Sequence, residues 1–324
     1  MKTRNNAICI LLSLFLFLTG CSQQTTAPVA YAPEASVEIT VLEDEAVALA
    51  EAPVAALPDI LEAEATGELV KKNGEAMIDY SNTADGYVMV QYTAKTSQRL
   101  KVQVKGPRTT YTYNLAAGSW EVFPLSDGSG KYQVTVYKNV SGKSYAAVLS
   151  LSHPVELADE FAPFIRPNQY VNYTAESDVV AKAAELTAEI EDPLEKVTAV
   201  YDFVVGTLSY DKERAATVKS GYLPVLDDVL AEEKGICFDY AALMTAMLRS
   251  QNVPCKLVVG YAGTAYHAWI NVWTEESGWV NGAIFFDGHA WHRMDPTFAS
   301  SGKESASIMK YIGDGSNYTA KYLY

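Results

Sequence analysis

Residues 87–94, 99–104, 109–115, 120–125, 132–137 and 146–151 alternate apolar or aromatic positions with polar ones and are rich in β-branched side chains. A period of two predicts strands with one buried face. The turn sequences Lys105-Gly106-Pro107, Ala117-Gly118, Asp127-Gly128-Ser129-Gly130 and Ser141-Gly142-Lys143 separate them. Strands at this spacing, with no helical stretch between, predict a small antiparallel sandwich. A Pro-containing connector over residues 153–172 follows, and then the period changes. Val179, Val180, Ala183, Ala184, Leu186, Thr187 and Ile190 recur at helical spacing, which predicts a helix over 177–190. Asp192 and Pro193 suit the N-cap and first position of a second helix, with Val197, Val200, Tyr201, Val204 and Val205 on one face. Gly206 is its expected end. From Cys237 to Leu248 the chain is apolar nearly all round, which places a third helix inside the core. Strand-like runs return at 266–274 and 291–295. The expected fold class is α+β, with an all-β sandwich over 71–155 and a helix-and-sheet domain over 156–324.

The N-terminal segment reads differently. Lys2 and Arg4 precede an apolar run over 8–18 that is too short for a stable membrane anchor. The run ends in Leu18-Thr19-Gly20-Cys21, which resembles a bacterial lipobox. That resemblance implies a signal peptide over 1–20, cleavage before Cys21 and fatty acylation, such as palmitate, at this residue. The protein is then exported and lipid-anchored to the outer face of a bacterial membrane. Residues 21–70 are rich in Ala, Val, Glu, Pro and Thr and contain Tyr31 as their one aromatic. Such a segment buries too little to offset its ordering entropy, so it is expected to be a disordered tether extending roughly 40 Å. A strand over 37–42 and a short helix over 57–70 are the ordered alternatives.

Charge changes this picture little. The net charge is −14, yet residues 22–70 hold ten of the acidic residues and no Lys or Arg. The remainder is only mildly acidic and has no basic stripe, which excludes nucleic acid as a partner. The strand tyrosines Tyr87, Tyr92, Tyr111, Tyr113, Tyr132 and Tyr137 suit half-buried sandwich positions, with a sugar- or peptide-binding face as the alternative.

With Cys9 lost in the signal and Cys21 carrying lipid, Cys237 and Cys255 remain. A helix over 237–249 separates its ends by roughly 18 Å. A disulfide needs α-carbons within about 7 Å, so the two are expected to stay unpaired, with Cys255 a buried apolar residue. Cys237 opens a rigid helix whose N-terminal end favours a negative sulfur. Gly235 before it admits a close approach of substrate or a tight entry turn. His267, Trp269, Asn271 and Trp273 share one strand face, and Trp291, Arg293 and Asp295 share another. If those two strands pair, Asp295 sits beside His267 and fixes its tautomer. Cys237, His267 and Asp295 are then a nucleophile, a base and a base-orienting carboxylate.

The segments Gly235-Ile236-Cys237-Phe238-Asp239-Tyr240-Ala241, His267-Ala268-Trp269 and Asp295-Pro296-Thr297 resemble the signature segments of the transglutaminase-like domain family, within the papain-like cysteine-enzyme superfamily. Val253-Pro254-Cys255-Lys256-Leu257-Val258-Val259-Gly260-Tyr261 and Gly278-Trp279-Val280 fit the same resemblance, which covers roughly residues 176–300. It implies a catalytic helix packed on an antiparallel sheet. It also implies transfer of an amide acyl group of a protein or peptide, cell-wall peptides included, through a thioester to water or to an amine. Two rival readings use the same fold: a catalytically silent adhesion lipoprotein, and a cell-wall peptidase. Tyr210, Trp269 and Tyr240 are the candidate oxyanion or cleft residues. No cofactor is expected. Asp287, His289 and His292, in an insert expected to form a hairpin beside the site, are too sparse a set for a metal. No alternating-acid loop suggests calcium.

Overall fold

The computed structural model describes residues 59–275, 278–280, 284–286, 291–293 and 318–324, with 284–286 and 291–293 as backbone. The first part is a sandwich. Strands β1 (Val70–Lys72), β2 (Ala76–Asp79), β3 (Tyr87–Tyr92) and β6 (Trp120–Pro124) form one sheet in the order β1-β2-β3-β6. Strands β4 (Leu100–Lys105), β5 (Thr110–Leu115), β7 (Gly130–Ser141) and β8 (Ser144–Val155) form the other, in the order β5-β4-β7-β8. Every pairing within both sheets is antiparallel. The alternation is literal in β5, where Tyr111, Tyr113 and Leu115 are buried and Thr110, Thr112 and Asn114 are exposed.

Three details refine the sequence reading. The β7–β8 hairpin is longer than its alternating core, and β8 runs through Pro154, which an edge strand tolerates because no ladder donor is needed there. Tyr87, Tyr92, Tyr111, Tyr113 and Tyr132 are all buried, so they form core and not a binding face. Residues 60–69, expected to belong to the tether, lie against folded structure without forming a helix. Ile60 packs on the core, Gly67 N–H donates to Asp79 Oδ2 at 2.7 Å, and Leu69 N–H donates to Ser81 Oγ at 2.8 Å. The signal, Cys21 and the 37–42 alternative lie outside the described residues.

The second part carries helices α1 (Asp178–Thr187), α2 (Pro193–Thr207), α3 (Lys212–Thr217), α4 (Leu226–Glu232) and α5 (Cys237–Ser250). Asp192 caps α2 by accepting from Leu194 N–H at 2.8 Å and Glu195 N–H at 3.0 Å. The helix ends at Thr207, one residue past the expected Gly206. Two short strands, β9 (Ser209–Tyr210) and β10 (Lys234–Gly235), pair in parallel. The main sheet joins β11 (Cys255–Ala262), β12 (Ala265–Thr274), β13 (Gly278–Val280) and β16 (Tyr318–Leu323) in the antiparallel order β13-β12-β11-β16. Strands β14 (Ile284–Phe286) and β15 (Trp291–Arg293) pair antiparallel with each other. That antiparallel pairing is in keeping with the hairpin expected for the insert over 281–290, whose other residues lie outside the described ones. The expected pairing of the 291–295 run with the His267 strand is not formed among the described residues, because β12 has β11 and β13 as its neighbours.

Helix α5 is the centre of this part. Tyr240, Ala241, Ala242, Leu243, Met244, Ala246, Met247 and Leu248 are wholly buried. Leu257, Ala268, Ile270 and Val272 of the sheet belong to the same apolar cluster. Leu, Met and Ala keep helical propensity while supplying this burial, at roughly 1.5–3 kcal/mol for each large apolar side chain. Arg249 ends the helix in the interior. Its guanidinium donates to the carbonyls of Cys255 at 2.9 Å, Arg166 at 2.7 Å and Tyr324 at 2.7 Å, so one side chain ties β11, the connector and the chain end together.

Candidate active site

Cys237 is the first residue of α5, and the N-cap before it, Ile236, has no side-chain acceptor. The first N–H groups of the helix are thus not covered by an N-cap side chain. Asp239 reaches back instead, and its Oδ2 accepts from Ile236 N–H at 2.7 Å, which is half of a capping box. Gly235 makes this possible. A Cβ there would lie 2.6 Å from Asp239 Cβ. The close approach that this glycine permits is made by the helix's own side chain. The pairing of Gly235 with Tyr210, backed by Asp211 N–H donating to Gly235 carbonyl at 2.8 Å, sets Tyr210 beside the helix start.

A cavity of about 530 Å³ opens here, lined by both Cys237 and His267. Cys237 is half-buried, and His267 is 7% exposed. Cys255 is buried away from it, and both thiols are free. Tyr210 also lines the cavity, so the structure brings three of the sequence candidates together. Trp269 and Tyr240 are not on the lining. Trp269 lies behind His267, with ring centroids 6.5 Å apart and stacked, and packs edge-on at 5.1 Å against Tyr318. Tyr240 is wholly buried in the α5 core. Asp295, Asp287 and His289 lie outside the described residues, as does the side chain of His292.

Other lining residues carried no sequence signal. Tyr170 comes from the connector, Lys219 and Tyr222 from the loop after α3, and Tyr324 from the chain end. They meet only because distant segments converge. Phe238 and Tyr266, which also line the cavity, at least flank the quoted motifs. Burial pushes the Tyr170 phenol up to about 12 and that of Tyr324 higher still, so both remain hydroxyl donors at neutral pH. The sandwich supports this wall from behind. Tyr113 lies 5.5 Å from Tyr170, and Tyr170 lies 5.5 Å from Phe238. A Cβ on Gly221 would meet Asn114 Nδ2 at 2.3 Å.

A thiol at a helix start and a histidine on the neighbouring sheet thus share one aromatic-walled cavity. Residues 180–282 match the family model described as the transglutaminase-like superfamily. The chain carries a transglutaminase-like domain. Cys237 and His267 fall inside the matched residues, and Asp295 lies beyond them.

The relatives this chain matches are distant. It is 22% identical to the uncharacterized protein YebA of Bacillus subtilis (strain 168) over 196 residues, which is 54% of this chain and 26% of that protein. It is 29% identical to the kyphoscoliosis peptidase of Mus musculus over 130 residues, or 39% of this chain and 19% of that protein. The similarity thus spans about a quarter and a fifth of those relatives' lengths. The periplasmic domain of TgpA from Pseudomonas aeruginosa is 18% identical with a TM-score of 0.33, over 74% of this chain and 78% of that one. Among the described residues, no helix is long and apolar enough to cross a membrane, and no group of three or more His, Cys, Asp or Glu could hold a metal ion.

Proposed function

We propose that the transglutaminase-like domain is a cysteine acyl-transfer enzyme acting on amide groups of proteins or peptides. The observation that carries this is that Cys237, at the start of a buried helix, and His267, on the adjoining sheet, line one cavity. In this reading His267 takes the Cys237 proton while sulfur attacks the amide carbonyl carbon, forming a C–S bond and a tetrahedral oxyanion. The N–H groups at the start of α5 are the natural donors to that oxyanion. Collapse breaks the C–N bond, His267 gives its proton to the departing amine, and a thioester remains. Water or a second amine, deprotonated by His267, then releases the acyl group and restores the thiol. Asp295 is proposed as the residue that orients His267.

Substrates in this proposal are polypeptide chains, cell-wall peptides among them. The Leu18-Thr19-Gly20-Cys21 sequence supports lipid anchoring at Cys21 on the outer face of a bacterial membrane. Moving Cys21→Ala out of the membrane fraction tests the anchor, and unchanged membrane association removes it.

The enzyme itself is tested by trapping. With a panel of Gln-donor and cell-wall peptides, hydroxylamine should intercept the thioester as a hydroxamate. Cys237→Ala and His267→Ala should each abolish this, while Asp295→Ala should retain part of it, because base and nucleophile remain. A wild type that forms no adduct with any peptide, and a Cys237→Ala cell that behaves as wild type, would establish a silent adhesion scaffold instead.

A further inference from the structure

The loop after α3 forms one wall of the cavity through Val218, Lys219, Gly221 and Tyr222. It is fastened to the first turn of α5 by a compact polar cluster. Tyr222 Oη donates to Asp239 Oδ1 at 2.7 Å, and Asp239 Oδ2 holds Ile236 N–H at 2.7 Å. Arg214, within α3, places Nη1 at 3.7 Å from Asp239 Oδ2 and at 3.4 Å from Tyr222 Oη. The same guanidinium meets Glu232 at 3.1 Å and Asp211 at 3.7 Å, and Lys234 meets Asp211 at 3.4 Å.

Asp239 is wholly buried, two residues after Cys237. Burial pushes its carboxyl up, while Ile236 N–H, Tyr222 and Arg214 pull it back toward the ionised form. Titratable groups lining the cavity beside Cys237 are His267 and Tyr266 on β12, Tyr210 on β9, and Lys219 and Tyr222 on the wall. Tyr170 and Tyr324 complete the set. Among the described residues, none of these is a carboxylate. Asp239 is thus the acid nearest in sequence to the thiol, and Arg214 is the cation that balances it.

We propose that Arg214, Asp239 and Tyr222 are positioning residues for Cys237, fastening the cavity wall to the α5 first turn and compensating the buried carboxylate in the same turn that carries the thiol. This rests on Cys237 being the nucleophile. A bare buried carboxylate near the helix start disfavours a second negative charge, whereas a compensated one does not. Loss of Arg214 and loss of the Asp239 charge therefore act in opposite directions on the thiol. A merely structural cluster would give losses of the same sign.

The test is iodoacetamide alkylation of Cys237 in the full chain, followed by peptide mass spectrometry from pH 6 to pH 9, with melting curves to establish folding. Arg214→Met should slow labelling at pH 7 by roughly tenfold, equivalent to about one unit on the pH axis. Asp239→Asn, which keeps an acceptor for Ile236 N–H, should speed it by about threefold. The double variant should return to within about threefold of wild type, and Arg214→Lys should stay near wild type. Slowing in both single variants, or no change in either, overturns the proposal. If Arg214→Met does not fold, Asp239→Asn decides alone: faster labelling supports the cluster's role, and equal or slower labelling removes it. A wild-type Cys237 that reacts no faster than a cysteine in a short peptide defeats the nucleophile reading separately, while the signs of the variants still decide the cluster.

Discussion

Gly260 stands opposite His267 in the β11–β12 register, and the indole of Trp269 lies over it. A Cβ on Gly260 would come 2.8 Å from Trp269 Cη2 and 2.1 Å from the Thr319 carbonyl oxygen on β16. Both neighbours are fixed, since Trp269 is buried and Thr319 is backbone paired to β11. Gly260 is thus required by packing around the histidine.

Gly260→Ala should therefore displace β16 or Trp269 and cost about 1–3 kcal/mol, the range for overpacking a filled site. Urea unfolding checks the stability loss. Because Trp269 stacks on His267, hydroxamate formation should fall as well. A variant with unchanged unfolding midpoint and full trapping activity would mean that the sheet yields more easily than its contacts indicate.

The two free thiols should respond unequally to alkylation. Cys255 is wholly buried, and its thiol is pushed up to about 11 by that burial. Cys237 is half-buried and faces the cavity. Under native conditions at pH 7.5, Cys237 should be modified at least tenfold faster, and Cys255 should react only on unfolding. Equal rates in native protein would contradict this placement.

Arg249→Met should be among the most destabilising single changes in the chain. Three carbonyl acceptors lose a charged donor at once, two of those bonds being wholly buried. Removing a buried charged group from its partners typically costs about 3–5 kcal/mol. Chemical denaturation measures the loss. A change under about 1 kcal/mol would show that water or main-chain shifts replace the guanidinium.

Lys256 predicts a pH dependence of stability. Burial lowers its ammonium to about 8, although its charge lies 3.3 Å from the Trp279 ring centroid and 4.7 Å from that of Phe164. The unfolded chain holds this proton to about 10.4. Between those values the unfolded state binds more protons, so stability rises with pH. The cost of the buried charge is fully present below pH 8 and is relieved above it. Relative to Lys256→Met, wild type should gain melting temperature between pH 7.5 and pH 10. Parallel pH curves for the two proteins would sink the assignment.

Much of the fold was legible because local periods and local polar groups carry it. Alternation placed the six longer sandwich strands, and the Asp192-Pro193 pair placed the start of α2 within its own turn. The nearly all-apolar run from Cys237 pointed to an interior helix, and the Cys237 and His267 motifs marked the two halves of the candidate site. The strands β1 and β2 were missed because each is too short to show a period. The pairing considered for the 291–295 run is not formed among the described residues for a related reason, since side-chain parity does not specify which neighbour a strand takes.

The sequence by itself determined the elements and the chemistry available at Cys237 and His267, because periodicity and residue type act over a few positions. Only tertiary structure decided what surrounds them. Tyr222, 17 positions from the Asp239 it bonds, and Arg249, 75 positions from the Tyr324 carbonyl it holds, have no local pattern that announces the partner. Nor does the sequence of the sandwich show that Tyr113 and Asn114 back the wall of a cavity in another part of the chain. Such contacts exist because burial brings together side chains whose separation along the chain carries no energetic signature until the core has formed.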